Sequence, residues 1–185
     1  RAQRRSEVDP RTSFAKASDR LSRNFSKDVV EVNGLDNDTA LKIVAHTASA
    51  LDWLHARKVA HRDLKPENVL CAGGGGPQAR FVLADFGVVG VGCGPTTGAR
   101  TLVGTPEYAA PEMVQAFLAN GGDVKVLQAF EKSSRRGHGL GSFFRRRSKQ
   151  MRGQSKTMGK TEYGHACDWF ALGCLLYELS VGSPP

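Results

Sequence analysis

HRDLKPEN, from His61 to Asn68, and LADFG, from Leu83 to Gly87, flank two short apolar runs, Val69-Leu70-Cys71 and Phe81-Val82-Leu83. Gly73 to Pro77 break the chain between the runs, so the pair reads as a β-hairpin with a loose turn. A hairpin there can bring together Asn68 and Asp85, which are seventeen positions apart. The residue types fit one chemistry. Asp63 can accept a hydroxyl proton, and Lys65, two residues on, can place a point charge on a phosphate. Asn68 and Asp85 supply the hard oxygen ligands that magnesium prefers. Transfer of a phosphoryl group asks for such a set, because it needs reactants held in line and negative charge neutralised more than it needs covalent work from protein.

Working outward, Asp36 is an N-cap for a helix from about Asn37 to Ala56, in which Leu41, Val44, Ala48, Leu51 and Leu54 recur at helical spacing. Residues Arg1 to Gly34 are polar, rich in Arg and Ser, and read as a linker; order begins near Leu35. Val59-Ala60 is a further short apolar run, and Gly87 to Gly98 has the composition of a mobile loop. Pro111 to about Leu118 reads as a short helix. Ala119 to His165, Gly-rich and basic with no sustained period, reads as a largely disordered insertion. Trp169 to Val181 is apolar enough for a buried helix and too short to span a bilayer. Trp53 and Trp169 read as core aromatics, and His46, His55, His138 and His165 as surface or capping groups without a role.

The chain of 185 residues is long enough for one domain with a real core. Its net charge of +8 lies in one segment: Met113 to His165 holds eleven Lys and Arg against three acidic residues, and the rest of the chain is balanced. This weakens a reading as a dedicated nucleic-acid binder, whose basic residues would line a folded face. Arg145, Arg146 and Arg147 with their neighbours either form a solvated loop or dock on nucleic acid, acidic lipid or an import receptor. Cys71, Cys93, Cys167 and Cys174 lack metal-type spacing and read as reduced thiols of a cytoplasmic or nuclear protein, with Cys174 buried.

Two more strings, GTPEYAAPE from Gly104 to Glu112 and DWFALG from Asp168 to Gly173, complete a set that closely resembles the eukaryotic protein kinases from about Leu35 to Pro185, apart from the basic insertion. The resemblance implies an α+β, protein-kinase-like fold: the mostly helical C-terminal lobe with its small β-hairpin. It implies ATP and Mg2+ as cofactors, a protein as substrate, Asp63 as the catalytic aspartate, Asn68 and Asp85 as metal ligands, and Leu70 as the floor of the adenine pocket. His61 and Phe86 resemble members of the hydrophobic stack of the active state, and Asp168 the aspartate that braces the catalytic loop. Lys65 together with Thr105 resembles the serine/threonine kinases, with Thr105 helping to fix Asp63 and Lys65. TLVGTPEY and the stretch after Asp168 resemble the AGC group. That group is basophilic, which implies basic residues near the target hydroxyl. It also implies Thr101 as a phosphorylation site, an upstream activating kinase as partner, and Arg62 as the group that receives the phosphate. Arg145, three residues before Ser148, resembles a basophilic substrate and points to self-phosphorylation there.

The resemblance has gaps. No glycine loop and no V-A-I-K lysine precede His61, so the N-terminal lobe is expected to be absent and these residues alone inactive. Glu112 is expected to lack the downstream arginine it would pair with. The competing reading is a pseudokinase scaffold that captures partners through the basic insertion.

Overall fold

A computed structural model describes residues 34–72, 78–132 and 161–185. The expected N-terminal linker, the glycine turn after Ala72 and the central part of the basic insertion, with Arg145, Arg146, Arg147 and Ser148, lie outside the described residues.

Helix α1 spans Asn37–His55 and begins where the cap was expected: the Thr39 amide donates to Asp36 Oδ1 at 2.9 Å. One stripe of it is buried, with Ala40, Ile43, Thr47, Leu51 and Leu54 facing inward. It packs against α4, Ala166–Val181, whose Ala171, Leu172, Leu175 and Leu179 close the other side of the core. Between α1 and the end of the core lie two small antiparallel sheets. Strands β2 (Val69–Ala72) and β3 (Arg80–Leu83) pair with Val69 opposite Leu83 and Leu70 opposite Val82. Strands β1 (Val59–Ala60) and β4 (Gly90–Val91) pair with Ala60 opposite Gly90. Helix α2 covers Pro111–Ala119 and helix α3 Val124–Lys132.

Helices and small antiparallel sheets make this an α+β fold, the class the sequence implied. Among the described residues, no helix is long and apolar enough to cross a membrane. Cys93, Cys167 and Cys174 are buried free thiols. Burial pushes the Cys174 thiol up to about 11 and raises the other two, so none is a ready nucleophile near neutral pH.

Three expectations change. The segment expected to be disordered from Ala119 contains α3: Asp123 caps it by accepting the Lys125 amide at 2.8 Å, and Leu127 is buried against Val114. Unlike α2, which is equally short but starts at Pro111, this helix has no proline to mark its start and lies inside Gly-rich, basic sequence. The tryptophans are not core residues: Trp53 is 50% exposed and Trp169 43%. Trp53 lies under the Arg57 guanidinium, 3.7 Å from its ring centre, which gives an exposed aromatic a partner without burial. His55 is no surface group. It is buried at the end of α1, with Nε2 2.7 Å from Asp168 Oδ2.

Candidate active site

The site is built upward from Asp168, which is 1% exposed in the first turn of α4. The backbone amides of His61 and Arg62 donate to its Oδ2 and Oδ1, both at 2.8 Å, and His55 shares Oδ2. That clamp holds an unusual backbone. Arg62 has φ of 70° and Asp85 φ of 59°, left-handed values costly for a residue with a side chain and therefore kept only where the surroundings impose them. The His61 ring is fully buried, 5.3 Å edge-on from Phe86, and its Nε2 is 3.0 Å from the Ala84 carbonyl. Burial lowers its pKa against the opposing pull of Asp168, Asp63 and Asp85, so the ring is neutral at pH 7 and Nε2 donates to that carbonyl.

Above this floor, Asp63, Lys65 and Thr105 form a closed triangle. Lys65 Nζ donates to Asp63 Oδ2 and to Thr105 Oγ1, each at 3.0 Å, and the Thr105 hydroxyl donates to Asp63 Oδ1 at 2.7 Å. Thr105 reaches Asp63 because Gly104 lets the two loops touch. Its φ is 88°, and a β-carbon there would collide with the Arg62 carbonyl oxygen.

Asn68 is buried beside the triangle. Its Nδ2 donates to the Asp63 carbonyl at 2.7 Å and to Asp63 Oδ2 at 3.2 Å, which turns Oδ1 of the amide the other way. The Ala84 amide donates to the Asn68 carbonyl at 2.8 Å, so the residue before Asp85 is stitched to Asn68 and Asp85 follows at an exposed position. Leu70, half-buried, stands opposite Val82, on the face of the hairpin away from the core residues Val69 and Leu83. Glu112 lies half-buried in the first turn of α2, where the helix dipole suits an acidic side chain.

Arg62 reaches the other way, into the loop before Gly104. Its Nε donates to the Val88 carbonyl at 2.7 Å and Nη2 to the Val89 carbonyl at 3.0 Å. Nη1 lies 3.3 Å from the Thr101 hydroxyl, which is exposed. Among the described residues, no carboxylate forms an ion pair with this guanidinium.

Sequence reading missed four contributors. His55 had no signal, because its partner is 113 positions away. Tyr163 and Glu162, in the short stretch before α4, contact the Thr101 loop. Glu178 makes an acidic cluster with Glu67 and Glu107: burial first, then those two carboxylates, raises its pKa to about 7, and Tyr108 donates its hydroxyl to Glu178 Oε2. Its signal lay in HRDLKPEN, which carries Glu67, and GTPEYAAPE, which carries Glu107; Glu178 follows DWFALG by five residues.

The family model for the protein kinase domain matches residues 17–125. Serine/threonine-protein kinase 36 of Pongo abelii is 30% identical over 158 residues, which cover 85% of this chain and 8% of that protein. Serine/threonine-protein kinase Sgk2 of Homo sapiens is 32% identical over 143 residues, 76% of this chain and 25% of its own length. Serine/threonine-protein kinase PknF of Mycobacterium tuberculosis is 42% identical over 84 residues, 44% of this chain and 18% of its own. The chain thus spans a quarter or less of each of these relatives. With the model matching more than half of its length and the bracing aspartate, triangle and hairpin in one site, this chain belongs to the protein kinase family.

Proposed function

We propose that the protein is an active serine/threonine kinase of AGC-like type, that it moves the γ-phosphoryl group of ATP to Ser or Thr hydroxyls of proteins, and that the described residues are its C-terminal lobe. The observation that carries this reading is the Asp63–Lys65–Thr105 triangle, with the Asn68 amide turned by Asp63. Asp63 keeps both oxygens hydrogen-bonded and 11% of its side chain exposed, so it can orient an incoming hydroxyl and take its proton. Lys65 offers a charge already aimed at the place where that hydroxyl would react. Thr105 fixes both.

The donor chemistry fits magnesium. Oδ1 of Asn68 and the exposed carboxylate of Asp85 are hard oxygens, and magnesium is ordinarily held by one or two protein groups together with phosphate oxygens and water. When bound, the ion neutralises charge on the phosphates. The chain's own residues would do the rest: Asn68 and Asp85 would hold the ion, Leu70 would line the nucleotide pocket, and Asp168 keeps the backbone under Asp63 in its strained form.

Regulation and specificity follow from two further features. A phosphate on Thr101 would add about −1.5 to −2 charge next to the Arg62 guanidinium, which has no carboxylate ion pair among the described residues, and would draw the loop onto Arg62. Burial first, then the charges of Glu67 and Glu107, raise the Glu178 pKa, and negative charge gathered at one place favours a substrate that brings Arg or Lys. The test is phosphotransfer by the full-length protein on a basic peptide library, with Asp63→Ala as control. Loss of at least about 100-fold in the variant is expected; equal incorporation by both proteins would overturn the assignment and favour a scaffold.

A further inference from the structure

Thr101 lies next to Arg62, and the contact between its hydroxyl and the guanidinium, at 3.3 Å, is too weak to hold an exposed loop alone. Other groups hold it. The Tyr163 hydroxyl donates to the Thr101 carbonyl at 2.6 Å and accepts from Arg62 Nη1 at 3.3 Å, so one buried phenol touches both the modifiable residue and its receptor. Burial raises the phenol's pKa, which keeps its proton in place near neutral pH. The backbone of Tyr163 is bound as well: its amide donates to the Ala99 carbonyl at 2.8 Å and its carbonyl accepts the Ala99 amide at 2.9 Å, an isolated antiparallel bridge. One residue earlier, Glu162 accepts the Gly98 amide at 3.0 Å and pairs with Arg100. One residue later, a β-carbon at Gly164 would collide with the Gly94 carbonyl, so the two strands lie backbone to backbone. His165 and Ala166 continue the seam with amides bonded to the Gly94 and Pro95 carbonyls at 2.9 and 3.0 Å.

We infer that Tyr163 and Glu162 are positioning residues for the loop that carries Thr101: they seat it against Arg62 before any phosphate arrives, so that the unmodified protein already holds part of its working arrangement. The inference rests on the kinase reading for its consequence and on geometry alone for the clamp. Neither residue would touch substrate or nucleotide: Tyr163 acts through Thr101 and Arg62, and Glu162 through Gly98 and Arg100 of the same loop. A phosphate on Thr101 would make the clamp redundant, since it supplies a stronger bond to the same guanidinium.

The test uses the full-length protein in two forms, unmodified and stoichiometrically phosphorylated on Thr101, with Tyr163→Phe and Glu162→Gln. Limited trypsin digestion, read as the fragment ending at Arg100, reports loop opening without any assay of activity. Loss of the hydroxyl bonds should speed that cleavage roughly three- to tenfold in unmodified Tyr163→Phe. Turnover of the same form should fall by a similar factor, with the KM for ATP unchanged, and phosphorylated Tyr163→Phe should come within about twofold of wild type. Cleavage at the wild-type rate, or an equal deficit in both forms, would overturn the clamp. If Tyr163→Phe fails to fold, Glu162→Gln decides by turnover in the two forms and by hydrogen exchange of the Gly98 and Ala99 amides, because it also frees the Arg100 side chain that trypsin reads. Wild type without phosphotransfer in either form would sink the kinase reading instead, and the trypsin result would still decide on the clamp.

Discussion

Asp63 and Asp168 are carboxylates of the same site with opposite circumstances. Asp168 is sealed in the core, where it accepts from two backbone amides and pairs with His55, all within 2.8 Å. Asp63 meets only side chains that can move, Lys65 and Thr105 from its own and the next loop and the Asn68 amide, and it stays partly open. The difference teaches how a strained backbone is made available for chemistry. One aspartate is sealed and holds φ of 70° at Arg62; the other rides on that backbone with part of its side chain exposed, which in the proposed reading leaves it open to a substrate hydroxyl.

The comparison can be broken by removing either half. The largest stability effect belongs to the bracing carboxylate: Asp168→Ala leaves two buried amides without an acceptor and should cost about 3 kcal/mol or more in urea unfolding. A loss below about 1 kcal/mol would mean that the amides find other partners. Next comes the contact between loops. Gly104→Ala puts a methyl group against the Arg62 carbonyl at positive φ, and should cut turnover at least about tenfold by separating Thr105 from Asp63, with a smaller change in melting temperature. Retention of full turnover would show that Thr105 is not needed where it stands.

A smaller effect is set by pH. Glu178 has its pKa raised to about 7, so it is largely neutral at pH 6 and charged at pH 8. The KM for an Arg-containing peptide should therefore fall several-fold, on the order of the change in Glu178 ionisation, as pH rises through 7, while a peptide without basic residues shows no such trend. Parallel profiles for the two peptides would remove Glu178 from substrate recognition. The smallest effect concerns the exposed aromatic. Trp53→Ala should cost less than about 1 kcal/mol, against about 2–5 kcal/mol for Leu51→Ala on the buried side of the same helix, by equilibrium unfolding.

Much of the site was legible because its signals are local. HRDLKPEN places Asp63, Lys65 and Asn68 within one turn of chain, and the two apolar runs announce the hairpin that carries Ala84 back to Asn68. The helix after Asp36 was readable from its cap and period, and it ends one residue before the expected Ala56. What could not be read depends on residues far apart in sequence. His55 looked like a helix-end histidine until α4 brought Asp168 to it, and Tyr163 looked like part of a basic insertion until it paired with Ala99. The tryptophans failed for another reason: periodicity shows that a helix has an apolar stripe, yet an aromatic residue at its edge is covered only if another segment lies over it.

The most direct test measures melting temperature and phosphotransfer on the same full-length preparations of Asp63→Asn and Asp168→Asn. Asp63→Asn should keep its melting temperature within about 2 °C and lose turnover at least about 100-fold, while Asp168→Asn should lose several degrees. Asp63→Asn with more than about a tenth of wild-type turnover, or with a loss of melting temperature equal to that of Asp168→Asn, would contradict the division between a working carboxylate and a bracing one.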